Sequence, residues 1–410
     1  MPNLRSIFEV YRIGAGPSSS HSMGPQRAAE VFKAQFPEPP AHVDVYLFGS
    51  LAETGKGHLT DQAIAKALAP LPHTLHWETG DLPSGHPNTM RFVAQDADGR
   101  ELRRWTVASI GGGAIEDERG QVENLPPADY PFTTMKEILT YCREQSCTIW
   151  QVAESFEQDL WPRLGEVWAV MQDSLRRGLD HHEAVLPGEL HLPRRAATTY
   201  RRAECLASPQ KDLALLSAYA LAVAEENASG GIISTAPSCG PAGVVPGLLY
   251  YYQQHRGRND RQLLEALATA GLFGSVIRAN ASVSGAEVGC QGEIGSACSM
   301  AAAAGCQLEG GSHDQIEYAA EIGMEHHLGL TCDPVLGYVQ IPCIERNMTA
   351  CLRAFECASF ALLTDGKHLV SFDEVIEVMD RTGRDLQSAY RETARGGLAD
   401  LWRRRMTHRP

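Results

Sequence analysis

The pattern of apolar residues changes character partway along the chain, and that change constrains the fold more than any single motif does. Before residue 117 the apolar segments are short and alternating: Val43, Val45 and Leu47 face one way and Asp44, Tyr46 and Phe48 the other, the two-residue period of a strand. Further strands are expected at 74–77, 90–94 and 102–110. Helices are expected among them, one opened by Pro25 in its first turn and carrying Ala28, Ala29, Val31 and Phe32, another starting after Thr60. From residue 135 the windows are long, rich in Ala, Leu and Glu, and free of strand alternation. Residues 135–179, 212–228, 247–279, 296–304, 313–328, 349–363 and 373–393 read as helices. Residues 117–134, with Pro126, Pro127 and Pro131, read as the linker. The expected fold is an α/β N-terminal domain over residues 1–130, a sheet with flanking helices, joined to a larger all-helical catalytic domain over 131–410. The length agrees, because 410 residues exceed the roughly 250 to 300 at which a single core stops growing.

Charge and hydropathy exclude several classes of function. The net charge is -14, and the one dense basic run is Arg403 to Arg405, so nothing offers the basic face that a phosphate backbone requires. No window approaches the roughly 20 apolar residues needed to cross a bilayer. Residues 1–11 carry Arg5 and Glu9 and lack the apolar core of a signal peptide. The expectation is a cytoplasmic protein with a small-molecule substrate, no nucleic-acid or membrane partner, and a homo-oligomeric, dimeric state. Eleven cysteines are many for a reducing compartment, where disulfides rarely persist. None precedes Cys142, most fall from Cys239 onward, and no C-x-x-C pair occurs, which argues against a zinc ribbon or a thioredoxin-type motif.

Three of these cysteines stand apart from the rest. Cys290, Cys332 and Cys343 lie next to Gly or Pro in loops, where free backbone N–H groups can bond sulfide or thiolate, whereas Cys298, Cys306, Cys351 and Cys357 fall among helix-face residues. By position alone the three are either ligands or inert packing. As ligands of a four-iron cluster they would leave one iron open. A second constellation is residues 16–24, where Ser18, Ser19, Ser20 and Ser22 surround His21 just before a helix. Hydroxyls, loop N–H groups and a helix N-terminus make a cradle for a carboxylate, and His21 can move a proton near neutral pH; a capped surface loop is the plainer reading. No acidic residue nearby in sequence would orient the ring as in a nucleophile triad. Residues 49–58 follow a strand but fail as a phosphate loop, since five residues separate Gly49 from Gly55 and Gly57, not Ser or Thr, follows Lys56. A ligand-lining turn containing Lys56 is expected instead. His86 and Asn88, and the glycines at 111–113, sit at strand ends where substrate groups are often read. His326 and His327 are adjacent on a helix and point about 100° apart, which does not suit a paired-histidine metal site.

Several of these strings together resemble the iron-sulfur L-serine dehydratases (L-serine ammonia-lyases), and they follow that family's order. They are residues 16–24, 55–58, 235–240, 284–295, and 324–334 running on to 341–347, so the resemblance covers nearly the whole chain. It implies a β-type domain fused to an α-type helical domain, and a 4Fe-4S cluster held by Cys290, Cys332 and Cys343. It places the substrate loop at Ser18 to Ser22, with Lys56, His86 and Asn88 as further substrate-binding candidates. Ser22 and Ser238 stand where many relatives have Thr. Some single-chain relatives end in a cysteine that folds back into the site; here none follows Cys357, which leaves the resting occupant of the fourth iron open.

The activity implied is conversion of L-serine to pyruvate and ammonia. The open iron would draw on the 3-hydroxyl as a Lewis acid while a base, expected to be His21, removes the α-proton. L-threonine is the alternative substrate. Rival classes are a pyridoxal-phosphate dehydratase using Lys56, an iron-sulfur redox sensor, which would leave the serine loop without a task, and a nucleotide-binding module resting on residues 49–56.

Overall fold

The structure, a computed structural model, describes residues 3–407 apart from 79, 81, 82, 123–127 and 129; Pro126 and Pro127 of the expected linker lie outside the described residues. The strands are β1 (Ile13–Ala15), β2 (His42–Phe48), β3 (His73–Glu78), β4 (Thr89–Gln95), β5 (Glu101–Ser109), β6 (Ile115–Asp117), β7 (Gly120–Gln121) and β8 (Ile232–Ser234). The first helices are α1 (Gly24–Lys33), α2 (Ser50–Thr54) and α3 (Thr60–Leu68). After the sheet come α4 (Met135–Gln145), α5 (Ile149–Phe156), α6 (Leu160–Leu179), α7 (Ala196–Ala203), α8 (Gln210–Ala228), α9 (Val244–His255) and α10 (Asp260–Asn280). The chain closes with α11 (Gly285–Val288), α12 (Ser296–Leu308), α13 (His313–Glu325), α14 (Cys343–Leu362), α15 (Phe372–Asp385) and α16 (Gly397–Thr407).

The sheet domain follows from its alternation. Six strands are ordered β3-β2-β4-β5-β6-β7, with β2 and β3 parallel across the α2–α3 crossover and the remaining pairs antiparallel. The register sets Val43 against Ala94, Val45 against Phe92 and Leu47 against Met90. These six side chains are buried in one core with Ala28, Ala29 and Phe32 of α1 and Ile64 and Leu68 of α3. The opposite face carries Asp44, Tyr46 and His76 and is only half covered, as expected for a sheet with helices on one side.

The helical domain has a larger core of its own, and the start of the chain belongs to it. Leu4, Ile7, Phe8, Val10 and Tyr11 are buried there, and Glu157 accepts from Ser6 Oγ (2.8 Å), the Ile7 N–H (2.6 Å) and Tyr130 Oη (2.9 Å). β1 then pairs antiparallel with β8, a short strand within the otherwise helical part, Ile13 lying opposite Ser234. The chain therefore docks on the helical domain before it enters the sheet domain, and residues 16–23 sit where the two meet.

Three expected helices are shorter or divided. The window 135–179 is three helices, broken where Ser146 and Asp159 take left-handed backbone (φ 51° at each) and restarted by the capping box of Thr148 and Gln151. The window 247–279 divides at Gly257, with Asn259 and Gln262 capping α10. The last window, 373–393, stops at Asp385; residues 386–396 instead cross the domain junction as a strap.

Candidate active site

The serine-rich loop winds as a π-helical turn, Ser19–Met23, that runs straight into α1. Such turns are rare and recur at functional sites. Its hydroxyls are spent on holding the loop: the Ser18 hydroxyl accepts the His21 N–H (3.1 Å), Ser20 Oγ lies 2.8 Å from His21 Nδ1, and Ser22 Oγ donates to the His58 carbonyl (2.7 Å). Asn227 of α8 donates to the Pro17 carbonyl (2.8 Å), anchoring the loop to the helical domain. Ser18, Ser19, Ser20, His21 and Ser22 are all buried.

His21 stacks on His58, ring centroids 4.4 Å apart. The hydrogen bonds fix both tautomers. Ser50 Oγ gives its one proton to the Glu392 carbonyl (2.8 Å), so it can only accept from His21 Nε2–H (3.0 Å), and His21 Nδ1 accepts from Ser20. His58 Nδ1–H donates to the Thr54 carbonyl (2.9 Å), which leaves the Nε2 lone pair of His58 open. That nitrogen lies 3.5 Å from Glu392 Oε1, which is also 3.6 Å from His21 Nδ1. Burial above all, and for His21 the neighbouring His58, hold His21 well below the ordinary histidine range, and burial lowers His58 to about 4. Both rings are neutral at pH 7.

A chamber beside this pair is lined by Ser18, His58, Cys290, Glu293, Cys332, Cys343 and Glu392. Cys290 lies in the turn between α11 and a second π-helical turn, Gln291–Gly295, that leads into α12. Cys343 is the first residue of α14. Cys332 lies on an extended stretch, not at a helix boundary, and exchanges backbone bonds with the strap: its N–H donates to the Tyr390 carbonyl and its carbonyl accepts from the Glu392 N–H, both at 2.8 Å. A hydrogen bond with Cys332, aided by the Arg346 charge and opposed by burial, brings the Cys290 thiol down to about 6. Arg346 is held by the Thr331 carbonyl (2.6 Å). Burial, then the charges of Cys290 and Glu392, push the Glu293 carboxyl well up, although Ser238 Oγ donates to it (2.8 Å). The packing tolerates no side chain at Gly285, whose Cβ would stand 2.8 Å from Glu293 Oε2 and 3.0 Å from Cys332 Sγ.

Among the described residues, only His21, His58 and Glu392 bring three ligand atoms within 4.8 Å of one another. The three loop cysteines line the chamber, Cys290 and Cys332 in hydrogen-bond contact with each other.

The other sequence candidates lie outside the chamber. Lys56 is exposed, with Nζ 5.6 Å from the centre of the Trp77 ring. His86 Nδ1 accepts the Asn88 N–H (3.0 Å) and its Nε2 lies 3.6 Å from Glu287, while Asn88 is fully buried with Oδ1 unpartnered. Their turn touches the site through one bond, the Ser50 N–H to the Pro87 carbonyl (2.9 Å). Sequence reasoning singled out neither Ser50 nor Glu392 and gave no role to His58, Glu293 or Arg346. The last three stand inside strings already recognised as uncommon, whereas Glu392 lies in a window that reads as helix and carries no local signal.

Residues 6–76 match the family model of the serine dehydratase beta chain and residues 95–399 that of the serine dehydratase alpha chain. The chain is 42% identical over 449 residues to an L-serine dehydratase of Streptomyces coelicolor, covering 96% of this chain and 98% of that one. It is 40% identical to the L-serine dehydratase of Haemophilus influenzae and to L-serine dehydratase 2 of Escherichia coli, with the same coverage. With both models matched in one polypeptide and relatives aligned across nearly its whole length, the chain belongs to the serine dehydratase family as a single-chain fusion of its beta and alpha types.

Proposed function

We propose that this enzyme converts L-serine to pyruvate and ammonia in the chamber between its two domains, and that Cys290, Cys332 and Cys343 hold a 4Fe-4S cluster there. The observation that carries the reading is the meeting, in one buried chamber, of three loop cysteines from the helical domain with His58, the neutral ring stacked on His21, from the sheet side. The donor set fits the group. Three thiols line one buried chamber, Cys290 and Cys332 within hydrogen-bond reach of each other, and the Arg346 guanidinium stands ready to offset thiolate charge. A bound cluster would supply an electron-pair acceptor for the substrate 3-hydroxyl.

The protein's own groups do the rest. The α-proton acceptor belongs to the stacked pair, where His58 offers an open lone pair toward the chamber and His21, with both ring nitrogens engaged, holds the pair in place. The tight burial excludes water until the aminoacrylate product leaves. Exposure of Lys56 and its seat on Trp77 give no support to a Schiff-base reading.

Anaerobically reconstituted protein should form pyruvate from L-serine, lose that activity in air, and regain it with ferrous iron and reductant. Iron and sulfide analysis tests the ligand set: Cys290→Ala, Cys332→Ala and Cys343→Ala should each lose the cluster, while Cys298→Ala and Cys306→Ala keep it. Full iron content in any of the first three removes that cysteine from the set, and undiminished turnover of iron-free protein defeats the reading.

A further inference from the structure

We propose that Glu392, delivered by the C-terminal strap, is the seat of the substrate's α-ammonium group and so makes the site select amino acids over plain hydroxy acids. The inference rests on the serine-dehydrating reading above and assigns a specificity-determining residue to it.

The strap is built to bring this one carboxylate in. Its backbone is tied to the helical domain through Cys332 and to the sheet domain through Ser50 Oγ, which donates to the Glu392 carbonyl (2.8 Å). Arg395, three residues on, pairs with Glu53 of α2. Glu392 itself takes left-handed backbone (φ 56°), a conformation that a residue with a side chain adopts only where its surroundings enforce it.

The side chains that meet there leave acceptor atoms unfilled. Glu392 Oε1 faces the open Nε2 lone pair of His58 at 3.5 Å, and Oε2 is buried with no hydrogen-bond partner. A buried carboxylate oxygen left in this state costs free energy until a donor reaches it. An ammonium group carries a positive charge and three N–H donors. Placed against Glu392 it satisfies the orphan oxygen, and it sets the adjacent α-carbon beside the open lone pair of His58. A 2-hydroxy acid brings at most one neutral O–H there and no charge, and an acid with only hydrogen in place of the ammonium brings neither.

The test uses the cluster-loaded enzyme, with iron and sulfide matched between variants, and two unreactive ligands that differ in the ammonium alone, L-alanine and propanoate. In Glu392→Gln the calorimetric dissociation constant for L-alanine and the Michaelis constant for L-serine should rise roughly 10- to 100-fold, the worth of one charged hydrogen bond, with propanoate binding unweakened. Glu392→Asp, which keeps the charge, should retain preference for L-alanine over propanoate, and it carries the test should the amide variant fail to load. Equal weakening of both ligands would mean that Glu392 only holds the strap, and loss of preference in Glu392→Asp would likewise overturn the seat. So would a divalent ion beyond the cluster iron, present in the wild type and absent from Glu392→Gln, because the three acceptors would then be metal ligands. Pyruvate formation by the wild type with unchanged L-serine affinity in the variant sinks the seat alone; a wild type that makes no pyruvate from L-serine sinks the functional reading and the seat together.

Discussion

Burial lowers the His58 imidazole to about 4 against the opposing hydrogen bond to Thr54, which ties part of the fold's stability to pH. The unfolded chain binds a proton at His58 near 6.5 and the folded chain does not until about 4. His58 therefore contributes stability that is fully present above pH 6.5 and is lost as pH falls from 6.5 to 4, roughly 3 kcal/mol at most. The difference in urea unfolding free energy between wild type and His58→Gln should shrink over that window and stay flat above pH 7; a pH-independent difference would mean that His58 is not buried neutral. The two histidines also separate by kinetics. If His58 takes the α-proton, His58→Asn should cut turnover by roughly 100-fold or more. His21→Asn, which loosens the pair, should mainly raise the Michaelis constant. A turnover loss confined to His21→Asn, with cluster intact and the α-deuterium isotope effect altered, would return the base to His21. The Ser18–His21 loop was legible as a candidate segment from its composition. The carboxylate beside it was not, because Glu392 approaches His21 from a remote part of the chain.

At the scale of elements, the helix that follows the Cys290 turn, α12, is positioned by small residues. α12 runs through the middle of the helical domain against α9, α10, α13 and α14, and Ala301, Ala302, Ala303 and Ala304 are all fully buried. A helix apolar on every face belongs inside a core. At Gly305 a Cβ would already stand 3.2 Å from Leu248 and 3.3 Å from Ala358, so the neighbours leave no slack. Ala302→Leu should destabilise by roughly 1 to 3 kcal/mol through overpacking, read as a lower urea midpoint with unchanged slope; an unchanged midpoint would show that α12 has room. Helix boundaries divide into two kinds. The breaks before α5 and α10 are written in capping boxes, Thr148 with Gln151 and Asn259 with Gln262, and could have been placed from the sequence. The end of α15 at Asp385 could not. The strap leaves the helix for bonds to Cys332 and Ser50, both remote in sequence, and those partners exist only once the domains have met.

For the whole molecule, residues 3–11 belong to the core of the helical domain although they precede the sheet in the chain. Leu4, Ile7, Phe8, Val10 and Tyr11 are buried in the helical core, worth on the order of 10 kcal/mol together at the usual value for such side chains, an upper bound comparable to the entire stability of a domain. A protein lacking residues 3–11 should therefore fail to fold its helical domain cooperatively, seen as a broadened or missing thermal transition by circular dichroism; a sharp transition near that of the full chain would show the segment to be dispensable. The sequence by itself determined the two-part architecture, since periods of two and of 3.6 residues demand a sheet and helices whatever their neighbours, and it marked which strings are candidates for chemistry, since Gly-, Pro- and Ser-rich loops beside Cys and His are written locally. Only the tertiary structure decided that the N-terminal segment belongs to the helical core, that His58 rather than His21 presents an open lone pair, and that a strap from the C-terminal end brings Glu392 to both. Each of these depends on hydrogen bonds and burial between residues up to hundreds of positions apart, as between Ser50 and Glu392, and no local pattern encodes a partner at that distance.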